Sequence, residues 1–136
     1  INADDATVFN YFTPVNSERP EHPFNDGATL SLGRLELRAI HTPGHTPGAS
    51  CYLIGNHLFS GDTLLFDGPG TTTSQDGHQQ SIDSIVRKLF VLPDATIVHP
   101  GRGDDAALST SKAEYQAFSS REHTPDLHGD VLWRTG

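Results

Sequence analysis

The chain has 136 residues, with 9 Lys and Arg against 17 Asp and Glu, and a formal net charge of −8; that length suits one domain. Apolar residues make up 35%, and 13 Gly and 9 Pro are present, a composition that predicts many loops around a thin core. The acidic balance argues against a nucleic-acid partner, which needs clustered Lys and Arg, and no run of about 18 apolar residues could span a membrane.

The opening Ile1-Asn2-Ala3-Asp4-Asp5 lacks the basic start and apolar middle of a signal peptide. A single cysteine, Cys51, excludes an internal disulfide and fits a reducing compartment. The expected location is therefore the cytoplasm. No internal repeat or low-complexity tract is present.

From Phe12 to Gly27 the chain holds Pro14, Pro20 and Pro23 with Asn16, Asn25 and Asp26, which reads as a long loop. Ala28 to Leu32 and Arg34 to Ile40 each alternate with period two, and Gly33 between them predicts a strand hairpin. His41-Thr42-Pro43-Gly44-His45-Thr46-Pro47-Gly48, with two Pro and two Gly, is a rigid loop. Ser50 to Ile54 and His57 to Ser60 then predict two strands around a Gly55-Asn56 turn. Gly61-Asp62-Thr63-Leu64-Leu65 starts a second loop, and residues 66–77 continue as loop. Ile82, Ile85, Val86 and Leu89 fall at i, i+3, i+4 and i+7, one face of a helix from Ser81 to Leu89. Ala95 to Val98 is a β-branched strand closed by His99-Pro100-Gly101-Arg102-Gly103. A second helix is expected from Ser111 to Ser119, and the rest, with Pro125 and Gly129, is expected to be irregular. Strands first, then strands and helices in alternation, predict a layered α/β fold.

Three loops that directly follow strands carry groups able to do chemistry. His45 stands between two Pro-Gly bends, and a neutral imidazole is the commonest metal ligand. Asp62 offers a carboxylate that can bind or bridge a cation. The third loop has the same form around Arg102.

Thr42 to Gly48 resembles the third metal motif of the metallo-β-lactamase-fold superfamily, in its glyoxalase II-like branch. Phe59-Ser60-Gly61-Asp62-Thr63-Leu64 resembles the fourth motif, and Val98-His99-Pro100-Gly101-Arg102-Gly103 the fifth, over roughly residues 28–110. The resemblance implies that residues 1–136 form the C-terminal half of one αββα sandwich. The family's opening motif, His-x-His-x-Asp-His, is absent from the chain, so the missing N-terminal half is the partner that a working site requires. The fifth motif normally has His where Arg102 stands, and a guanidinium has no lone pair for a metal.

In that family the first metal takes two first-motif histidines and the third-motif His. The second takes the motif's Asp-His pair and the fifth-motif His, and the fourth-motif Asp is shared. The resemblance thus assigns His45 and Asp62 as metal ligands and favours a single-metal site over a dinuclear one. Zinc is the expected metal, with iron or manganese as alternatives. It implies a hydrolase of thioesters or related activated acyl compounds, acting by attack of metal-bound hydroxide, with Asp62 catalytic and a small molecule as substrate. Arg102 is expected either to pair with Asp104 or Asp105 or to hold a substrate carboxylate.

A second reading, also implied by the resemblance, is a persulfide dioxygenase-like oxidoreductase with one iron on two His and one carboxylate. A third is a degenerate binding module without catalysis. His41 and His99 are expected to support their loops. His22, His57, His78, His123 and His128 are expected to be solvated, Cys51 to be buried, and the acidic residues to form a dispersed solvated surface.

Overall fold

The computed structural model describes residues 26–134, so all but the last two residues of the predicted 12–27 loop lie outside the described residues. The first hairpin forms where it was predicted. Gly33 adopts φ +62, a turn conformation suited to glycine, and joins β1 (Thr29–Leu32) to β2 (Leu35–His41) with Thr29 opposite Arg38. β3 (Ser50–Ile54) and β4 (His57–Gly61) pair antiparallel around the Gly55-Asn56 turn. β7 (Ile97–Pro100) lies parallel to β4, with Leu58 opposite Val98, and the two-residue β8 (Ala106–Ala107) closes the sheet. The sheet order is β1-β2-β3-β4-β7-β8; β5 (Leu64–Leu65) and β6 (Gly68–Pro69) form a separate small hairpin.

A parallel β4–β7 pair needs a crossover, and it is helical. Helix α1 runs Gln75–Ser84 and continues as five π-helical residues, Ile85–Leu89, in which Phe90 N donates to Ile85 O at 2.9 Å. The helix therefore begins six residues before the predicted start at Ser81. Ser74 explains this: its side chain accepts from Gly77 N and caps a polar first turn that has no periodicity to read. Helix α2 spans Leu108–Ser119, three residues earlier than expected.

Leu58 and Ser60 on β4 are buried while His57 and Phe59 are exposed, so one sheet face carries the helices. Ile40, Cys51, Leu58 and Val98 from the sheet meet Ile82, Ile85 and Leu89 from the crossover and Leu108 and Phe118 from α2. The end of the described chain is irregular, as expected, yet it enters this core. Trp133 is fully buried, edge-on to Tyr115 at 5.3 Å and to Phe90 at 6.3 Å.

Three expectations about polar residues fail for the same reason, that helix packing buries them. His78 is buried, edge-on to Phe118, because it lies on the inner side of the capped first turn. His123 is half-buried; it stacks on Phe118 at 3.9 Å and its Nε2 donates to Phe118 O. Asp67 and Glu114 are buried rather than dispersed in solvent, with the Arg134 guanidinium 3.2 Å from Asp67 Oδ1 and 3.4 Å from Glu114 Oε2.

Burial pushes Glu114 above the ordinary carboxylate range; hydrogen bonding to Asp67 and repulsion from it add to the rise, while Arg134 offsets part of it. Because the folded value is raised, the stability Glu114 contributes is complete below the unfolded value of about 4.3. It is lost as pH rises through the raised value. Between pH 4 and 8 the urea midpoint of the parent chain should therefore lose more, or gain less, with rising pH than that of Glu114→Gln. Identical profiles would show that Glu114 does not titrate differently on folding.

Candidate metal centre

The loop after β2 is pinned on two sides. Against the helix, Gly44 comes so close to α1 that a Cβ would lie 2.5 Å from Ser81, and Ser84 Oγ donates to Pro43 O at 2.8 Å. Within the loop, His41 Nε2 donates to Pro47 O at 2.7 Å, the bracing role expected of it. The buried Thr42 hydroxyl sits 3.0 Å from that of Thr63, which ties the His45 loop to the Asp62 loop. The loop after β4 is tied in turn to the third loop, because Gly101 N donates to Gly61 O at 2.9 Å. Gly70 passes directly over the second loop: a Cβ there would come within 1.7 Å of Asp62 O.

These ties bring the three sequence-predicted residues together. His45 Nδ1 donates to Thr71 O at 2.7 Å. A carbonyl can only accept, so Nδ1 carries a proton, and Nε2 is the ring nitrogen left over for a metal. That nitrogen faces Asp62 Oδ2 across 3.5 Å. The other carboxylate oxygen, Oδ1, lies 3.8 Å from Arg102 Nε. The side chains of His45, Asp62 and Arg102 are 25%, 46% and 64% exposed, so a ligand can reach all three.

Arg102 therefore pairs with Asp62 rather than with Asp104 or Asp105. The carboxylate of Asp105 is engaged elsewhere, 2.8 Å from His99 Nδ1. His99 Nε2 is 2.9 Å from His57 Nδ1, and its ring stacks on Phe59. Both nitrogens of His99 are thus committed, as is one of His57, which is exposed as expected.

An imidazole nitrogen facing a carboxylate oxygen is a pair of groups that suits zinc or iron. It is also incomplete, since no group of three or more His, Cys, Asp or Glu that could hold a metal ion occurs among the described residues. Arg102 adds a fixed positive charge where a third donor would be useful. Among the described residues the pair alone does not complete a metal site.

Sequence reasoning missed the devices that set this geometry. The Thr42–Thr63 bond and the Thr71 carbonyl carry no motif of their own, and neither contact is local in sequence. Cys51 is buried as expected, and burial pushes its thiol up to about 11, so it is a packing residue and not a nucleophile.

A family model of the metallo-beta-lactamase superfamily matches residues 3–102. A probable polyketide biosynthesis zinc-dependent hydrolase, BaeB of Bacillus velezensis, is 39% identical over 77 residues, covering 56% of this chain and 34% of that protein. The mitochondrial persulfide dioxygenase ETHE1 of Bos taurus is 35% identical over 92 residues, 65% of this chain and 36% of that protein. A crystal structure of ETHE1 from Myxococcus xanthus matches with a TM-score of 0.65 at 31% identity, over 82% of this chain and 56% of that one. The chain thus spans about a third of the length of these two curated relatives. No helix among the described residues is long and apolar enough to cross a membrane.

Proposed function

The chain belongs to the metallo-beta-lactamase superfamily, and from that premise we propose that it carries part of the active site of a metal-dependent hydrolase. The substrates in this reading are thioesters or related activated acyl compounds, as in the glyoxalase II-like branch. The observation that carries it is His45 Nε2 facing Asp62 Oδ2 at 3.5 Å, with Nδ1 held by the Thr71 carbonyl. His45 and Asp62 would hold the metal, zinc in the first instance, with iron or manganese as alternatives. When bound, the metal supplies Lewis-acid activation of water and of the acyl carbonyl.

The chain's own residues then divide the remaining work. The Thr71 carbonyl accepts from His45 Nδ1 and so holds the ring with Nε2 toward Asp62. Asp62 accepts a hydrogen bond from the attacking water and so orients it toward the carbonyl. Arg102 takes the carboxylate released by hydrolysis, for which its planar fork is suited. The long, exposed Arg102–Asp62 pair is worth little in itself, so the guanidinium is available.

The remaining donors would come from the first half of the domain, on the same or another polypeptide. Leu30, Leu37, Ile54, His57 and Ile97 lie in register across the sheet. Residues opposite one another share a face, and this one, turned away from the helices, is the surface on which that half would pack. The free buried thiol of Cys51 fits a reducing cytoplasm.

The second reading fits the same site. Arg102 Nε lies 3.8 Å from Asp62 Oδ1, a fixed cation that would disfavour a second metal beside Asp62, which agrees with a one-iron persulfide dioxygenase as well as with a mononuclear hydrolase. The complete domain should be loaded with zinc or with iron, then assayed for thiol release from acyl thioesters and for oxygen uptake with a persulfide. Thiol release with about one metal per domain is the expected result. Oxygen uptake by the iron form without thioesterase activity would establish the dioxygenase. Loss of both activities in a metal-loaded domain would leave a binding module.

A further inference from the structure

Beside Arg102 the protein has a cleft of about 310 Å3 that no metal ligand borders. One wall is the β5–β6 hairpin, through Leu65, Phe66 and Pro69; the other is the segment near the C-terminus, through Val131 and Leu132. Phe66 and Leu132 are both large apolar side chains left substantially exposed, 38% and 51%, although packing could have hidden them. Arg102, whose Nε is 3.8 Å from Asp62, borders the same cleft. A ligand there is within one guanidinium of the candidate catalytic carboxylate.

The cleft is built, because its two walls are stitched together. Asp67, in the turn of the hairpin, adopts φ +67, which non-glycine residues seldom do. In that conformation its carbonyl accepts from Trp133 N at 2.8 Å and its Oδ1 accepts from Arg134 N at 2.8 Å. Gly68 closes the seam, since a Cβ there would come 2.4 Å from Val131 O. The Arg134 guanidinium covers the Phe66 ring at 4.8 Å. Buried Trp133 anchors one wall while its neighbour Leu132 stays exposed at the cleft.

We propose that this cleft is the acyl subsite: it binds the apolar chain of a monocarboxylic acyl group, with Arg102 holding the carboxylate that hydrolysis leaves. This rests on the hydrolase reading for the role of the carboxylate, though not for the binding itself. Asp130 also borders the cleft, and its negative charge disfavours a second carboxylate on the bound chain. Dicarboxylic acyl groups are therefore selected against.

The test is binding of octanoate, butyrate and suberate to the protein without metal, by titration calorimetry. Each methylene buried is worth about a fourfold gain in affinity, so octanoate should bind far more tightly than butyrate, and suberate more weakly than octanoate. Leu132→Ala, an exposed position that the fold can spare, should weaken octanoate at least about fivefold. Arg102→Gln should weaken octanoate while leaving octanamide, its uncharged counterpart, unchanged. Equal affinity for butyrate and octanoate, or no effect of Leu132→Ala on octanoate, would overturn the proposal. Thioester turnover by the complete domain is scored separately. Turnover indifferent to chain length removes the subsite and keeps the hydrolase, whereas octanoate binding without turnover does the reverse.

Discussion

His45→Ala is expected to lower the metal affinity of the complete domain by more than about 100-fold, and Asp62→Ala to do the same while abolishing turnover. Losing a group that merely orients a ligand costs 10- to 100-fold in metal affinity, so losing the donor itself should exceed that. Competition with a chromogenic chelator reads the affinity directly, independently of activity. Arg102→His provides the contrast. It replaces a fixed cation by a lone-pair donor beside Asp62 Oδ1, so metal content should rise from about one to about two per domain. Unchanged affinity in His45→Ala would remove the metal centre from this loop. Unchanged stoichiometry in Arg102→His would mean that the guanidinium is not what keeps a second metal out.

Trp133→Ala should destabilise the fold by about 3–5 kcal/mol, the usual loss when a buried aromatic is cut back to a methyl group. The ring is fully buried against Phe90, Tyr115 and Phe118, and Arg121 donates to its carbonyl. Against a total stability of typically 5–15 kcal/mol, the loss should be plain in the urea midpoint. Trp133→Phe should cost much less, because it keeps an aromatic ring and removes an indole N–H that has no partner. If Trp133→Ala unfolds at the parent midpoint, the last described residues are an appendage rather than part of the core.

Much of the architecture was legible because it follows from local rules. Period-two alternation marked β1 and β2, a short apolar run and its return across Gly55-Asn56 marked β3 and β4, and Gly33 marked the first turn. The stripe from Ile82 to Leu89 marked the buried side of the crossover. Boundaries were missed where a contact and not a pattern decides them. The first turn of α1 is polar and exists because Ser74 caps it. β5, β6 and β8 are two residues each, too short for any periodicity. β7 starts two residues later than predicted because its register is set by pairing with β4 at His57 and Leu58.

The sequence by itself determined the class of fold, the family and the identity of the three loop residues, His45, Asp62 and Arg102. Strand alternation, Pro-Gly loops and motif order are all properties of neighbours along the chain. Only the tertiary structure decided which nitrogen of His45 faces Asp62, that Asp62 divides its oxygens between His45 and Arg102, and that the last described residues wall a cleft. Each depends on groups far apart in sequence: Thr71 with His45, Asp62 with Arg102, and Asp67 with Trp133 and Arg134. A hydrogen bond acts over about 3 Å, and folding alone brings such partners within that reach.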